Sequence, residues 1–132
     1  MDGISEILAT YNCVSLDEKI QFELDGVVEK EIKQAYCIEN LEFCVSCMDY
    51  TTLKVSDTEE SVKNFTADLL KKLKKFNLRD VAAVCVFSNY AGIVREGLKG
   101  TEIQTAVVAG NFPNSQTFTE IKLAECKMAI GA

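Results

Sequence analysis

Three short apolar segments alternate with amphipathic stretches from residue 43 onward. The apolar segments are Phe43–Leu53, Val81–Phe87 and Ile103–Ala109, and each is rich in residues that favour strands. The middle segment has no helical period, which is typical of a strand buried on both faces of a parallel sheet. Because parallel strands are joined by helical crossovers, this order predicts an α/β fold with parallel strands.

The stretches between the apolar segments have the period of a helix. Apolar residues recur at helical spacing over Val62–Phe76, and Asp57 with Glu60 resembles a capping box at the start of that helix. A second helix is predicted to begin at Ser88 and a third near Thr117. The three strands are therefore each followed by a helix.

The first part of the chain has helical patterns and no strand-like segment. The sequence predicts a helical N-terminal extension over residues 1–42 and three βα units over residues 43–132. Three parallel strands leave two edges unpaired, and a closed eight-stranded barrel takes about 250 residues. We therefore expect a partial TIM (β/α)8 barrel, made of its first three βα units and truncated after the third helix.

Charge and composition argue against several kinds of partner and chemistry. The 132 residues carry a net charge of −6, which disfavours binding to nucleic acid or to an anionic membrane surface. No apolar run reaches the ~18 residues of a membrane span. The chain has no histidine, so histidine-based nucleophile pairs, general bases and metal sites are excluded. Six cysteines without a signal peptide predict reduced thiols in the cytoplasm.

Asp49 is the charged residue of the first apolar segment. Strand alternation places Cys47, Asp49, Thr51 and Leu53 on one face. A carboxylate in an apolar strand must be hydrogen-bonded, paired or used in chemistry. Asp49 therefore either satisfies backbone groups where the strand ends, or is a site carboxylate at the carboxyl end of the strand, where α/β folds place their active sites.

Other motifs have simpler interpretations. Cys44 and Cys47 would face opposite sides of a strand, so they are interpreted as structural thiols and not as a metal or redox pair. Lys54 is interpreted as a surface residue, with a Schiff-base amine as the alternative. The loop Gly110–Pro113 is either an ordinary βα connection or part of the rim where substrates bind.

Three ordered motifs carry a resemblance to a known family. They are Cys-Met-Asp-Tyr-Thr-Thr-Leu at 47–53, Val-Ala-Ala-Val-Cys-Val-Phe-Ser-Asn-Tyr at 81–90, and Ala-Gly-Asn-Phe-Pro-Asn-Ser-Gln-Thr at 109–117, followed by Glu120, Lys122 and Glu125. In order and spacing the sequence resembles the deoxyribose-phosphate aldolase family over residues 43–132. The resemblance implies a TIM barrel and a class I aldolase that uses a lysine Schiff base, with no metal or other cofactor, to join or split acetaldehyde and glyceraldehyde 3-phosphate.

The resemblance also implies roles for individual residues. Asp49 matches an aspartate of the proton relay around the catalytic lysines, Thr51 and Leu53 match residues near the substrate pocket, and Cys85 matches a cysteine that faces the pocket. The sequence departs from the family at three positions. Ser88 stands where the family usually has proline, and Asn111 and Ser115 stand where glycine is common. These departures concern the shape of the loops.

The family's Schiff-base lysine lies on a strand that has no counterpart here. We therefore expect the 132-residue polypeptide alone to be inactive, although its parent enzyme would act on a small phosphosugar or aldehyde. The alternative is a non-catalytic partial barrel that works by self-association or partner binding. In either case, exposed strand edges and an incomplete barrel interior predict a homo-oligomer.

Overall fold

The computed structural model describes residues 2–10 and 13–132. They form two compact units, the first ending at Leu41 and the second running from Glu42 to Ala132. The elements, in chain order, are α1 (Asp2–Thr10), α2 (Cys13–Val27), a π-helical turn (Val28–Ile32), α3 (Lys33–Ala35), α4 (Ile38–Ser46), β1 (Asp49–Thr51), α5 (Glu59–Phe76), β2 (Ala83–Phe87), a 3-10 turn (Ser88–Tyr90), α6 (Ala91–Gly97), β3 (Gln104–Val108) and α7 (Thr119–Gly131).

The first unit is built from helical segments. Every side chain that the structure describes in this unit is exposed, including those of Phe22 and Tyr36, which are 80% and 77% exposed. Burial of apolar side chains supplies most of the stability of a helix in a protein. These helices therefore have no hydrophobic core among their described side chains.

The predicted strand Phe43–Leu53 is wrong in its first half. Residues 43–46 belong to the helix α4, and β1 contains three residues, Asp49–Thr51. Leu41 and Val45 are four residues apart on this helix, and Val45 packs against the core. A short apolar run does not distinguish a strand from a helix by periodicity, and here the tertiary packing of Val45 favours the helix.

The three strands form one parallel sheet in the order β1-β2-β3. Tyr50 of β1 pairs with Val84 of β2, so both side chains project from the same face of the sheet. On that face Val84 and Val86 are fully buried, and they belong to the hydrophobic core that α5 and α6 complete. The core residues are Val62, Leu69, Leu73, Val81, Val84, Val86, Val94, Leu98 and Ile103.

Helix α5 begins one residue later than predicted. Its N-cap is Thr58, whose hydroxyl accepts a hydrogen bond from the Ser61 amide at 3.1 Å, while the Ser61 hydroxyl accepts one from the Thr58 amide at 2.8 Å. This is a reciprocal capping box, closed by a serine and not by Glu60 as predicted. The change frees the carboxylate of Asp57 for other contacts.

The last helix, α7, has apolar residues around its whole circumference. Ile121, Met128 and Ile130 are exposed at 57%, 76% and 86%. Charged residues are interspersed among them, and the exposed apolar side chains are suited to contact with further protein. Among the residues that the structure describes, no helix has the length and apolar character to cross a bilayer.

Candidate active site

The face of the sheet opposite the core carries the predicted site residues. The register pairs Asp49 with Ala83, Thr51 with Cys85, and Cys85 with Ala106. Neighbours in register on parallel strands project to the same side. We call this the site face, and its residues are Asp49, Thr51, Ala83, Cys85, Phe87, Gln104, Ala106 and Val108.

Strand alternation correctly predicted that Asp49 and Thr51 share a face, and the register places Cys85 on the same face. The position of Asp49 along the strand was wrong, because Asp49 is the first residue of β1 and not near its carboxyl end. Its side chain is exposed. Its carboxylate has no hydrogen bond or ion pair within residues 2–10 and 13–132, which leaves it free to contact a ligand or another segment.

Thr51 and Leu53 lie at the end of β1. Thr51 is exposed and its hydroxyl donates a 3.2 Å hydrogen bond to the carbonyl of Asp49. Leu53 follows the strand and is half-buried. Between them Thr52 is 7% exposed, and its amide donates to the carbonyl of Cys85 at 3.0 Å, which extends the β1–β2 pairing beyond the strand.

Asp57 holds the loop that follows β1. One of its carboxylate oxygens, Oδ2, accepts hydrogen bonds from the Thr52 hydroxyl and from the Lys54 amide, both at 2.9 Å. The carbonyl of Asp57 also accepts a 2.6 Å hydrogen bond from the hydroxyl of Tyr90 in the turn after β2. The sequence interpretation missed this role because the acidic residue before a helix was assigned as its cap.

Cys85 lies in the middle of β2 and is half-buried, with a free thiol. The other free cysteines that the structure describes are Cys37, Cys44, Cys47 and Cys126. The argument that Cys44 and Cys47 face opposite sides of a strand was wrong, since Cys44 lies on α4 and the Cys47 amide donates to the Cys44 carbonyl at 3.1 Å. Both thiols are exposed.

The turns after β2 and β3 meet at the carboxylate of Glu125 on α7. The Ser88 hydroxyl donates to Oε1 at 2.8 Å, and the Asn111 amide donates to Oε2 at 3.1 Å. These hydrogen bonds, that from Ser88 first, lower the pKa of Glu125, while burial opposes them. The glutamate was noticed in the sequence only as part of a motif, because a half-buried partner of two distant turns has no local signal.

A cavity of about 430 Å³ lies between these two turns. It lies at the carboxyl ends of β2 and β3, the edge at which parallel α/β sheets bind ligands. Its lining combines polar and apolar side chains, which suits a small molecule with both kinds of group. The lining residues are Phe87, Ser88, Asn89, Val108, Asn111, Phe112, Thr117, Ile121 and Glu125.

The loop after β3 contains two residues other than glycine in the left-handed region. Asn111 has a φ of 62° and Ser115 a φ of 54°, and the Ser115 amide donates to the Asn111 carbonyl at 2.8 Å. These are the two positions at which the resemblance led us to expect glycine. The departures in sequence therefore fall where an L-residue is strained.

Most of the lysine side chains that the structure describes are exposed. Lys54 is exposed, as predicted. Lys122 on α7 is half-buried beside Gly110, whereas the other lysine side chains that the structure describes are exposed. Lys122 is thus the least exposed of the lysine side chains that the structure describes.

Curated relatives share the sequence of this chain over much of its length. The deoxyribose-phosphate aldolase of Clostridium novyi is 41% identical over 83 residues, which covers 63% of this chain and 34% of that enzyme. The deoxyribose-phosphate aldolase of Bos taurus is 32% identical over 124 residues, which covers 83% of this chain and 37% of that enzyme. The chain resembles deoxyribose-phosphate aldolases. It spans about a third of the length of these relatives.

A solved structure supports the fold of the deoxyribose-phosphate aldolases. A crystal structure from Coccidioides immitis, assigned to this aldolase, superposes with a TM-score of 0.56 at 24% identity, covering 68% of this chain and 32% of that one. No family model matches the chain. The predicted class is confirmed as α/β, with three parallel strands that correspond to part of the aldolase barrel.

Proposed function

We propose that this chain supplies the first three βα units of a deoxyribose-phosphate aldolase. The complete enzyme would reversibly cleave 2-deoxy-D-ribose 5-phosphate to acetaldehyde and glyceraldehyde 3-phosphate through a lysine Schiff base. The observation that carries the proposal is the identity of 41% with the Clostridium novyi enzyme over 83 residues. A cytoplasmic location and a phosphosugar substrate are part of the proposal and rest on the same resemblance.

The roles proposed for single residues come from the family resemblance, and the places of these residues on the sheet are compatible with them. The exposed carboxylate of Asp49 has no described partner, so it is available to accept and return a proton in the relay. Thr51 and Cys85, side by side on the site face, would line the pocket with Leu53 at its margin. Because the catalytic amine is not among these residues, the chain must act together with the rest of a barrel.

A complementation experiment tests this proposal. The chain is produced together with the part of the Clostridium novyi aldolase that it does not match, and cleavage of 2-deoxyribose 5-phosphate is measured. We expect turnover only when both parts are present. Asp49→Asn should then lower kcat by roughly 10²- to 10⁴-fold, the usual contribution of a proton-transfer group.

Asp80→Asn is the matched control. Asp80 is an exposed aspartate that precedes β2, near the amino ends of the strands. We expect this variant to keep the kcat of the unmodified chain. Equal kcat values for Asp49→Asn and the unmodified chain would remove Asp49 from the proposed relay, and a complex that assembles without turnover would count against the aldolase itself.

A non-catalytic module acting by association is the second candidate. It is favoured by the exposed apolar surface of α7, where Met128 and Ile130 are 76% and 86% exposed. In this case the chain would form a homo-oligomer or bind a partner without chemistry. Assembly with the aldolase fragment and restored turnover would decide in favour of the enzyme.

A further inference from the structure

One carboxylate joins two turns that are distant in sequence. Glu125 of α7 accepts hydrogen bonds from Ser88, 37 residues before it, and from Asn111, 14 residues before it. Ser88 begins the 3-10 turn that directly follows β2, and Asn111 lies in the loop that follows β3. Both turns lie at the carboxyl edge of the sheet, where the proposed substrate would bind.

Both hydrogen bonds have an ionised acceptor. Hydrogen bonds to an ionised group are in general stronger than those between neutral groups. Glu125 uses a different oxygen for each donor, so the two bonds do not compete. The side chain is half-buried, so it is partly protected from the water that would otherwise replace these contacts.

The conformation of the loop after β3 fits this arrangement. Gly110 and Asn111 are both left-handed, with φ values of 71° and 62°. Asparagine adopts this conformation more readily than most L-residues do, and a fixed contact can hold it there. The hydrogen bond from the Asn111 amide to Glu125 supplies one such contact.

The cavity between the turns depends on the same contacts. Ser88, Asn111 and Glu125 all line its 430 Å³. If the two turns separated, the walls of the cavity would separate with them. We propose that Glu125 is a positioning residue, which fixes the turns after β2 and β3 in one arrangement at the substrate rim. Only one part of this inference rests on the proposed aldolase function, namely that substrate binds at this edge of the sheet.

The electrostatics of Glu125 agree with this role. We call the two hydrogen bonds that its carboxylate accepts from Ser88 and Asn111 the clamp. The hydrogen bonds from Ser88 and Asn111, with a smaller contribution from the backbone of Gly110, hold the pKa of Glu125 below its ordinary value. Lys122, on the same helix, is half-buried and lies beside Gly110. Glu125 is therefore charged at neutral pH, and each of its two oxygens acts as a hydrogen-bond acceptor.

Hydrogen–deuterium exchange of the 132-residue chain, read by mass spectrometry at short labelling times, tests the inference. In Glu125→Ala we expect exchange over residues 88–91 and 110–115 to become about tenfold faster, because charge-assisted hydrogen bonds are lost. Exchange over β2 should keep its rate. Glu125→Gln should restore slow exchange, since its amide oxygen can accept from Asn111 and its amide nitrogen can donate to Ser88.

Two further variants keep the test decisive. Glu120→Ala removes an exposed carboxylate of the same helix and should leave exchange at both turns unchanged. Ser88→Ala removes one of the two hydrogen bonds and should accelerate exchange over residues 88–91 even if Glu125→Ala does not fold. The measurement needs no substrate, so failure of the aldolase proposal leaves it intact.

The contrary results are specific. Unchanged exchange at both turns in Glu125→Ala and Ser88→Ala would overturn the inference. So would acceleration of equal size over β2 and α5, because that would show a general loss of stability and not a local clamp. A Glu125→Gln variant that exchanges as fast as Glu125→Ala would likewise contradict it.

Discussion

Thr51 is the register neighbour of Cys85 across β1 and β2, and both side chains project from the site face. Thr51 is exposed and Cys85 is half-buried. This face therefore presents a thiol and a hydroxyl to whatever completes the barrel or covers the sheet. Its accessibility can be measured through the thiol.

We expect the chain to associate through the site face. Half-buried Cys85, Ala106 and Val108 lie there, and covering apolar surface is favourable by about 25 cal/mol per Å². Alkylation of Cys85 should therefore slow as protein concentration rises. Cys126, a half-buried thiol on α7 that is not on the site face, is the internal control.

The variant Ala106→Glu should oppose this association, because it places a charge on the site face. Sedimentation should then show a smaller species than for the unmodified chain. A stable monomer of the unmodified chain at high concentration would contradict the prediction. Equal concentration dependence of alkylation at Cys85 and Cys126 would argue for association through another surface.

Glycine at the left-handed positions should stabilise the protein. Ser115→Gly removes the steric cost of a φ of 54°. For a residue with a β-carbon this cost is roughly 1–2 kcal/mol. The greater conformational freedom of glycine in the unfolded chain offsets part of the stabilisation. We expect an increase of about 0.5–1 kcal/mol in the free energy of unfolding, measured with urea. Asn111→Gly should gain less, since asparagine tolerates this conformation.

Ser56→Gly is the control for the glycine variants. Ser56 is an exposed serine in the loop after β1, and its φ is not in the left-handed region. Glycine there should lower the free energy of unfolding, because it adds only freedom to the unfolded chain. A loss of stability in Ser115→Gly as large as that in Ser56→Gly would show that the loop is not strained.

The sequence predicted the alternation of strands and helices because that signal is carried by many residues at once. Val81–Phe87 contains β2, and the stripe from Val62 to Phe76 lies within α5. Parity along β1 also placed Asp49 and Thr51 on one face, since a period of two is set by the backbone. Features that depend on several positions were therefore predictable.

Features that depend on one specific contact were not predictable. Residues 43–46 have strand-forming side chains, yet they are helical and Val45 packs against the core. Asp57 was assigned to a helix cap, and its actual partners are Thr52 and Lys54. No local pattern distinguishes these outcomes, because the competing contacts differ by little energy until the rest of the fold is present.

Stability should depend on pH through Glu125. Its pKa is lowered in the folded chain by Ser88 and Asn111, so its contribution is present above the unfolded pKa of about 4.3 and is lost as pH falls through the lower folded value. The two donors, Ser88 and the Asn111 amide, do not ionise in this range. We therefore expect acid to reduce the difference in the free energy of unfolding between the unmodified chain and a variant that lacks the Glu125 carboxylate.

The measurement is the difference in the free energy of unfolding between the unmodified chain and Glu125→Gln, taken from pH 6.5 downward. Other carboxylates titrate in both proteins, so they cancel in the difference. The difference should shrink below about pH 4.3. A difference that stays constant with pH would show that ionisation of Glu125 does not stabilise the fold.

The isolated 132-residue polypeptide should form no Schiff base of its own. A class I aldolase needs a lysine whose pKa is lowered from about 10.4 by burial or by a cationic neighbour. Lys54 is exposed and Lys122 is only half-buried, so no described lysine side chain is enclosed in a buried pocket. Borohydride reduction in the presence of acetaldehyde, followed by intact mass, should therefore show no stoichiometric adduct, with the Clostridium novyi aldolase as the positive control. A single-site adduct would overturn this expectation, and peptide mapping would look first at Lys54 and then at Lys122.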